Sequence, residues 1–407
     1  GRVQPPDGNH LEESGGDGGM KWEKVKLGDI ATFSNGINFN KTAYAKGIKL
    51  IGVSNFGDRF YPDYSQLQEV KKDIVRLEDC LRNGDIVFVR SNGNKELVGR
   101  CMLVKNPTER VTYSGFCIRA RLNDTDRYDP VYFTYYFKSK AFRRAVSGTA
   151  VGANIQNLSQ ARLSNHECRI PSIEVQHRIA DILSVYDDLI ENNQKQIKLL
   201  EEAAQRLYKE WFVDLRFPGH ENTKIVDGVP EGWRVSSIYD VFDIKYGKNL
   251  PTSKITKVGQ YPVYGASGVI GYYNEKNCDD YVTLITSRGN GSGDVRRTHH
   301  KQSYVTNNSF IARRNDKNIF IKNEFTFQLF SNTDFKKLCT GSAQPQLTNT
   351  SIQKIKIFLP NRQLIEKYQG CTIEMSEKQE VLYKEQRALT QARNRLLSKL
   401  INGTVEV

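Results

Sequence analysis

Two stretches with the hydrophobic period of a long helix constrain this chain most. The first runs from Ser172 to Phe212, where apolar residues recur at alternating four- and three-residue steps. Pro171-Ser172 supplies a start signal, because a serine side chain can accept from a free backbone N–H of the first turn. The predicted seam is Val175, Ile179, Ile182, Tyr186, Leu189, Asn193, Gln196, Leu200, Ala203 and Leu207. A helix of about forty residues is roughly 60 Å long and cannot bury such a stripe alone.

A partner with the same pattern follows Pro360, 189 residues after Pro171. Its predicted seam is Leu364, Tyr368, Cys371, Met375, Lys378, Leu382, Glu385, Leu389, Ala392 and Leu396. Because the two stretches share the same stepping at a constant offset, an intramolecular coiled coil is favoured over two ordinary core helices of a globular domain. We expect antiparallel pairing, since parallel helices would force the intervening chain to run back along the whole rod.

The segment before each helix is also repeated. Trp22 to Gly36 recurs from Trp233 to Gly247 at an offset of 211 residues, so the chain is a tandem duplication. The expected fold class is α+β: two strand-rich α/β domains separated by a long antiparallel two-helix coiled coil, with internal pseudo-two-fold duplication. The predicted boundaries are a vector-derived leader at 1–19, a first domain at 20–171, a helix at 172–212, a linker at 213–231, a second domain at 232–359 and a helix at 360–402.

The net charge of +13 resides in the two globular blocks, whereas residues 172–230 are acidic. Basic domains point to a polyanion such as nucleic acid, although solubility or an acidic protein surface would explain the same charge. Seven cysteines without a C-x-x-C pair favour reduced thiols in a cytoplasm and argue against zinc. We predict no metal site, and the sequence has neither a membrane-length apolar run nor a secretory signal after Met20.

Each block carries a polar, glycine-rich loop directly after a strand-like run, beginning at Arg90 and at Arg288. Glycine permits close backbone approach to a ligand, while Arg and Asn supply the bidentate donors that read guanine and adenine edges. A solvated hairpin turn is the alternative. The predicted DNA-binding residues are Arg90, Ser91, Asn92, Asn94, Lys95, Arg100, Tyr264, Ser267, Arg288, Asn290, Ser292, Arg296, Arg297 and Lys301.

Two partial catalytic motifs are interpreted as coincidences. Asp129–Tyr132 resembles an amino-methyltransferase motif, but valine replaces its second proline and no cofactor loop accompanies it. Asp63–Lys71 resembles a nuclease motif, but its spacing leaves little room for the two strands such a metal site uses. We therefore predict no catalytic residues.

Six segments are typical of one protein family: residues 22–36, 81–86, 208–219, 229–233, 261–271 and 288–293. On these segments the chain resembles, from Met20 to Val407, the specificity subunit of a type I restriction–modification enzyme. This resemblance implies a non-catalytic subunit whose two target-recognition domains each read one half of a split, asymmetric site in double-stranded DNA. It also implies docking of two methyltransferase subunits, which bring S-adenosylmethionine, and of restriction/translocase subunits using ATP and Mg²⁺, with no cofactor bound by this chain. The alternatives are a self-contained DNA methyltransferase or nuclease, or the recognition subunit of a related, type IIB-like system.

Overall fold

The structure is a computed structural model that describes residues 22–57, 59–93, 97–146, 157–341 and 344–407. The predicted leader, 1–19, lies outside these ranges. The chain forms two compact units. Unit 1 comprises Gly1–Ile190 and Ala388–Val407, and unit 2 comprises Glu191–Arg387. Each of the two long helices therefore contributes residues to both units.

Unit 1 has mixed helix and strand content. Its elements are β1 Glu23–Lys26, α1 Leu27–Ile30, β2 Ala31–Asn35, β3 Tyr44–Ile51, β4 Gln68–Val70, β5 Ile86–Val89, β6 Cys101–Leu103, β7 Val111–Tyr113, β8 Cys117–Leu122, α2 Pro130–Lys138, α3 Lys140–Val146, α4 Gln160–Ser164, β9 Glu167–Ile170 and the start of α5, Ile173–Tyr208. Four strands form an antiparallel sheet in the order β2-β8-β5-β6. A three-stranded sheet, β4-β3-β7, contains the parallel pair β3/β7, and β1 pairs with β9.

Unit 2 repeats this architecture. A π-helical turn, Lys209–Val213, extends α5. The remaining elements are β10 Ile225–Val226, β11 Val229–Pro230, β12 Arg234–Ser237, α6 Ile238–Val241, β13 Phe242–Tyr246, β14 Tyr261–Gly265, β15 Gly268–Tyr273, β16 Thr283–Thr286, β17 Val295–Arg297, β18 Tyr304–Val305, β19 Ser309–Arg314, α7 Asn323–Ser331, α8 Asn349–Ile352, β20 Lys356–Leu359 and α9 Arg362–Ile401. β10 and β11 form a separate antiparallel hairpin. The other sheets are β13-β19-β16-β17, β15-β14-β18 with β14/β18 parallel, and β12-β20. These orders match those of unit 1 strand for strand, as the predicted duplication requires.

A pair of glycines shows that the match extends to backbone contacts. A Cβ on Gly36 would lie 2.2 Å from the Tyr113 carbonyl oxygen, and one on Gly247 would lie 2.3 Å from that of Thr306. The chain can make this approach only without a side chain. Each glycine precedes an isolated parallel bridge, Ile37 with Ser114 in unit 1 and Lys248 with Thr306 in unit 2.

Within each unit the long helices pack antiparallel. In unit 1, Ile179 near the start of α5 shares a core cluster with Leu400 near the end of α9. In unit 2, the Tyr368 hydroxyl near the start of α9 donates to the Ala204 carbonyl near the end of α5, at 3.1 Å. The same clusters contain the domain cores, so each domain buries its apolar face against both helices.

The predicted seam has the right period but is wrong in phase over much of both helices. Ile182 and Leu189 of α5 are 37% and 42% exposed, whereas Leu183 and Ile190, one residue later, are buried. In α9 the predicted Cys371 and Lys378 are exposed, and their neighbours Thr372 and Gln379 are buried. The helices contact a domain as well as each other, which moves the buried face beyond that of a simple coiled coil. Some polar residues on this face are hydrogen-bonded there: the Gln379 amide donates to the Ile197 carbonyl at 3.4 Å, and the Thr372 hydroxyl donates to the Tyr368 carbonyl at 3.2 Å.

Candidate nucleic-acid interface

The first predicted loop starts at the carboxyl end of β5. Arg90 is half-buried, and its guanidinium Nη1 donates to the Gly115 carbonyl at 3.0 Å, while its backbone N–H donates to the Phe116 carbonyl at 2.8 Å. Arg90 therefore stabilises the turn between β7 and β8, which limits its reach as a base-reading side chain.

The rest of the first loop is polar and partly accessible. Ser91, Asn92 and Arg100 are all half-buried, and Ser91 forms an isolated antiparallel bridge with Asn157. The predicted residues Asn94 and Lys95 lie outside the described residues. The structure thus places three further predicted residues near one end of the β2-β8-β5-β6 sheet, where their roles stay predictions.

The structural match between the loops differs by one residue from the match read off the sequence. The Arg90 carbonyl accepts from Leu158 N–H, and the carbonyl that accepts from Leu347 N–H is that of Ser287. Ser287 also repeats the side-chain contact of Arg90, since its hydroxyl donates to the Asn307 carbonyl at 3.2 Å. Arg90 therefore corresponds to Ser287. Arg90 and Arg288, at which the two predicted loops begin, are therefore not equivalent positions.

The second loop brings several predicted residues together in unit 2. Arg288 and Asn290 are exposed just after β16. Ser267 is exposed at the tip of the β14–β15 hairpin, and the adjoining Ala266 carbonyl accepts from the Thr286 hydroxyl at 3.1 Å. Arg296, on the neighbouring β17, is 42% exposed and 3.8 Å from Asp294. We call Ser267, Arg288, Asn290 and Arg296 the loop surface of unit 2. Its guanidinium and amide groups can donate and accept in the bidentate patterns that base edges offer.

Tyr264 and Ser292 belong to the interior of unit 2, which corrects their assignment to the interface. Tyr264 is 3% exposed, its hydroxyl is 2.8 Å from His300 Nδ1, and burial raises its pKa to about 12. The Ser292 hydroxyl is buried and donates to the Ser287 carbonyl. Both side chains are therefore committed to internal hydrogen bonds.

Arg297 departs most from its predicted role as a DNA-binding residue. Its side chain is 11% exposed and lies 2.6 Å from Glu324 of α7 and 3.0 Å from Glu201 of α5. The guanidinium also donates to Gln379 of α9 at 2.5 Å. Burial alone would lower the pKa of Arg297, but Glu324 and Glu201 raise it. Arg297 therefore links the unit 2 domain to both long helices, and it is poorly placed for DNA.

Lys301 is exposed but lies apart from the loop surface. Its Nζ is 5.8 Å from the Tyr281 ring, beyond the end of β17 at which Arg297 lies. Because β16 and β17 run antiparallel, Arg288 and Lys301 mark opposite ends of the same sheet.

The two catalytic look-alikes have structural roles. Asp129 caps α2 by accepting from Val131 N–H, and burial raises its pKa. Asp63 caps a short 3₁₀ turn and accepts from Arg59 at 2.8 Å, and hydrogen bonds from Ser65 and Arg59 lower its pKa. Among the residues the structure describes, no group of three or more His, Cys, Asp or Glu side chains is placed to hold a metal ion. Every helix in the described ranges is too short or too polar to cross a membrane.

The fold and these surfaces define a class of protein: an internally duplicated chain in which two α/β domains of one scaffold present different polar side chains. Two stretches, residues 20–202 and 230–385, match the family model described as "Type I restriction modification DNA specificity domain". Because these stretches cover most of the chain, the protein belongs to this family, as the sequence resemblance predicted.

Named relatives agree with the family. The MjaIX specificity subunit of Methanocaldococcus jannaschii is 26% identical over 76% of this chain and 76% of its own length. The HindI specificity subunit of Haemophilus influenzae is 23% identical over 94% of this chain and 99% of its own. The crystal structure of the type I restriction–modification S subunit from M. genitalium superposes with a TM-score of 0.53, at 20% identity, over 94% of this chain and 97% of that one. At this identity the likeness to the crystal structure supports the fold alone.

Proposed function

We propose that this chain is the non-catalytic specificity subunit of a type I restriction–modification complex and reads a bipartite, asymmetric DNA site with one domain for each half. The observation that carries this proposal is the duplication itself. The two units share strand order, glycine contacts and bridging positions, yet differ at the ends of β5 and β16, where Ser91 corresponds to Arg288. A repeated scaffold with divergent loop residues suits two different half-sites.

The partners follow from the same proposal. An internally repeated chain offers two similar surfaces, which suits the docking of two modification subunits. Those subunits would bring S-adenosylmethionine, and restriction/translocase subunits would use ATP and Mg²⁺, while this chain would bind none of these. The net charge of +13 favours phosphate contacts and hence association with DNA.

Exchange of one domain tests the division of labour. Residues 37–160 would be replaced by the corresponding segment of another family member, leaving Gly36 and the second half of the chain intact. Sequencing of the DNA methylated by the complex should show a change in one half of the site only. The matched control replaces residues 248–349 and should change only the other half. A single exchange that altered both halves in a folded complex would refute independent reading.

Cofactor binding distinguishes this proposal from a self-contained methyltransferase. Isothermal titration of the purified chain with S-adenosylmethionine should give no heat of binding, whereas the complex with its modification subunits should bind. Binding by the chain alone would instead support the enzymatic alternative.

A further inference from the structure

Phe116 and Asn308 occupy equivalent positions in the two units, and neither is among the DNA-binding residues predicted from the sequence. Phe116 lies in the turn between β7 and β8, and Asn308 lies in the turn between β18 and β19. The Phe116 carbonyl accepts from Arg90 N–H at 2.8 Å, and the Asn308 carbonyl accepts from Ser287 N–H at 2.8 Å. Since Arg90 corresponds to Ser287, the two turns are equivalent.

Both turns are held by several hydrogen bonds. Cys117 N–H donates to the Ser114 carbonyl at 2.8 Å, and Ser309 N–H donates to that of Thr306 at 3.2 Å. In each unit the residue before the tip receives a side-chain hydrogen bond, Gly115 from the Arg90 guanidinium and Asn307 from the Ser287 hydroxyl. A turn fixed in this way presents its tip side chain at little further cost in conformational entropy.

The tip side chains themselves are exposed. Phe116 is 63% exposed, although Ser114 and Cys117 on either side of it are buried. Asn308 is also exposed. The exposed part of the phenyl group contributes nothing to folding stability, because its apolar area stays in water. The backbone is the same in both units, and the chemistry of the tip differs.

We propose that Phe116 and Asn308 are base-contacting residues, one for each half of the DNA site. Phe116 packs against the methyl group of a thymine, and Asn308 forms a bidentate hydrogen-bonded pair with the N6 and N7 atoms of an adenine, which are the contacts these side chains make in a major groove. This inference rests on the proposed function. Phe116 adjoins Ser91 directly, since the Phe116 carbonyl also accepts from Ser91 N–H at 3.3 Å. Asn308 adjoins Arg288 through Ser287, so each tip extends the predicted loop of its unit.

The thymine contact is tested with modified DNA. After the site has been read from methylated DNA, duplexes with uracil in place of one thymine at a time are bound to the complex of this chain with its modification subunits. One uracil in the half read by unit 1 should weaken binding of the wild-type complex about fourfold, the value of one buried methyl group. The F116A complex should bind that duplex and its thymine parent equally.

The adenine contact is tested in the same way. Replacement of one adenine by 7-deazaadenine in the other half should weaken wild-type binding about fivefold, the value of one hydrogen bond, and should leave N308A binding unchanged. The exchanged variants F116N and N308F should each alter the preferred base at one position of one half. Two variants at exposed side chains are matched controls: Leu77→Ala, at a leucine that is 71% exposed, and Asn274→Ala. Both should still bind the uracil and 7-deazaadenine duplexes more weakly than the unmodified DNA.

The outcomes separate this inference from the proposed function. If the wild-type complex discriminates its site but the uracil and 7-deazaadenine effects persist in F116A and N308A, the two residues do not touch those bases and the inference is wrong. If the wild-type complex shows no sequence preference, the proposed function itself fails. Loss of folding in F116A, seen as an early thermal transition, would show that the side chain is structural.

Discussion

Replacement of Arg297 by methionine separates the sequence-based and structural interpretations of one residue. The sequence places Arg297 among the DNA contacts, whereas the structure surrounds its guanidinium with Glu324, Glu201 and Gln379. Methionine replaces the unbranched apolar stem of arginine and removes the charged guanidinium. A structural role predicts a large loss of stability with little change in DNA binding, and a DNA contact predicts the reverse.

The magnitude follows from burial. Arg297 and Glu324 are each 11% exposed, so Arg297→Met leaves a carboxylate with little water to solvate it. Removal of one partner from a buried ion pair costs about 3–5 kcal/mol. Glu201 is 39% exposed and can regain water, so we expect the lower end, about 3 kcal/mol. With an m-value of roughly 2–3 kcal/mol/M, the urea midpoint of unit 2 should fall by about 1 M.

Tryptophan fluorescence reports mainly on unit 2, because Trp211 lies in its core cluster and Trp233 packs against that cluster, whereas Trp22 alone lies in unit 1. The matched control is Arg296→Met, whose 42% exposed side chain lies 3.8 Å from Asp294 and should cost less than about 0.5 kcal/mol. The double variant R297M/E324M should be more stable than R297M, because it removes the stranded carboxylate together with its partner.

DNA binding completes the comparison. For the R297M complex, the slope of log K against log salt should equal that of the wild type. Loss of one phosphate contact would reduce the slope by about 0.9. A loss of less than about 1 kcal/mol in stability, combined with a reduced salt slope, would contradict the structural assignment and restore Arg297 to the DNA interface.

Three further predictions concern packing, pH and length. Gly36→Ala should lower the free energy of unfolding by about 2–3 kcal/mol, because its Cβ would lie 2.2 Å from the Tyr113 carbonyl oxygen. Gly52→Ala, whose Cβ would have its nearest contact at 3.8 Å, should be close to neutral. Thermal melts of the two variants test this difference. Burial, and after it neighbouring positive charge, lowers the pKa of His299 to about 3 and that of His300 to about 4. As the pH drops below about 6.5, these histidines are therefore protonated in the unfolded chain before they are protonated in the folded one. The free energy of unfolding should fall as the pH drops from about 6.5 towards 4. Urea titrations at pH 7 and pH 5 should show this loss reduced in H299Q/H300Q, and an equal loss in both proteins would assign it to other groups. Insertion of seven residues after Gln194 and seven after Lys384 keeps the 3.5-residue period and lengthens each helix by about 10.5 Å. If the helices set the distance between the half-sites, the preferred DNA spacer should grow by about 3 base pairs. An unchanged spacer bound at full affinity would contradict this.

The sequence by itself determined the two long helices and the duplication. A helix of this length shows its period locally, as in the steps from Val175 to Ile179, and proline marks the start of each helix at Pro171 and Pro360. The repeated Trp22 and Trp233 segments marked the start of each copy without any knowledge of contacts. These features depend on residues that are near each other along the chain or on repeated segments, so they can be predicted from the sequence alone.

Only the tertiary structure decided the phase of the buried helix face and the members of the interface. Sequence reasoning that counts apolar residues would not place Asp187 and Glu201 on the buried face of the helix. In the structure Asp187 accepts from the Tyr135 hydroxyl at 2.7 Å, and Glu201 is paired with Arg297. Arg297 and Arg288 look equally suited to DNA in the sequence. The partners that bury Arg297 come from segments up to 96 residues away, and such partners have no local signal.

Phe116 illustrates the same limit from the other side. In the sequence it is one phenylalanine between a glycine and a cysteine, and the default expectation for such a residue is the core. Its 63% exposure follows from how the β7–β8 turn is held by Arg90, a residue 26 positions earlier. Burial depends on contacts between segments distant in sequence, and for that reason the tertiary structure alone separates the side chains that hold each domain together from those that face outward.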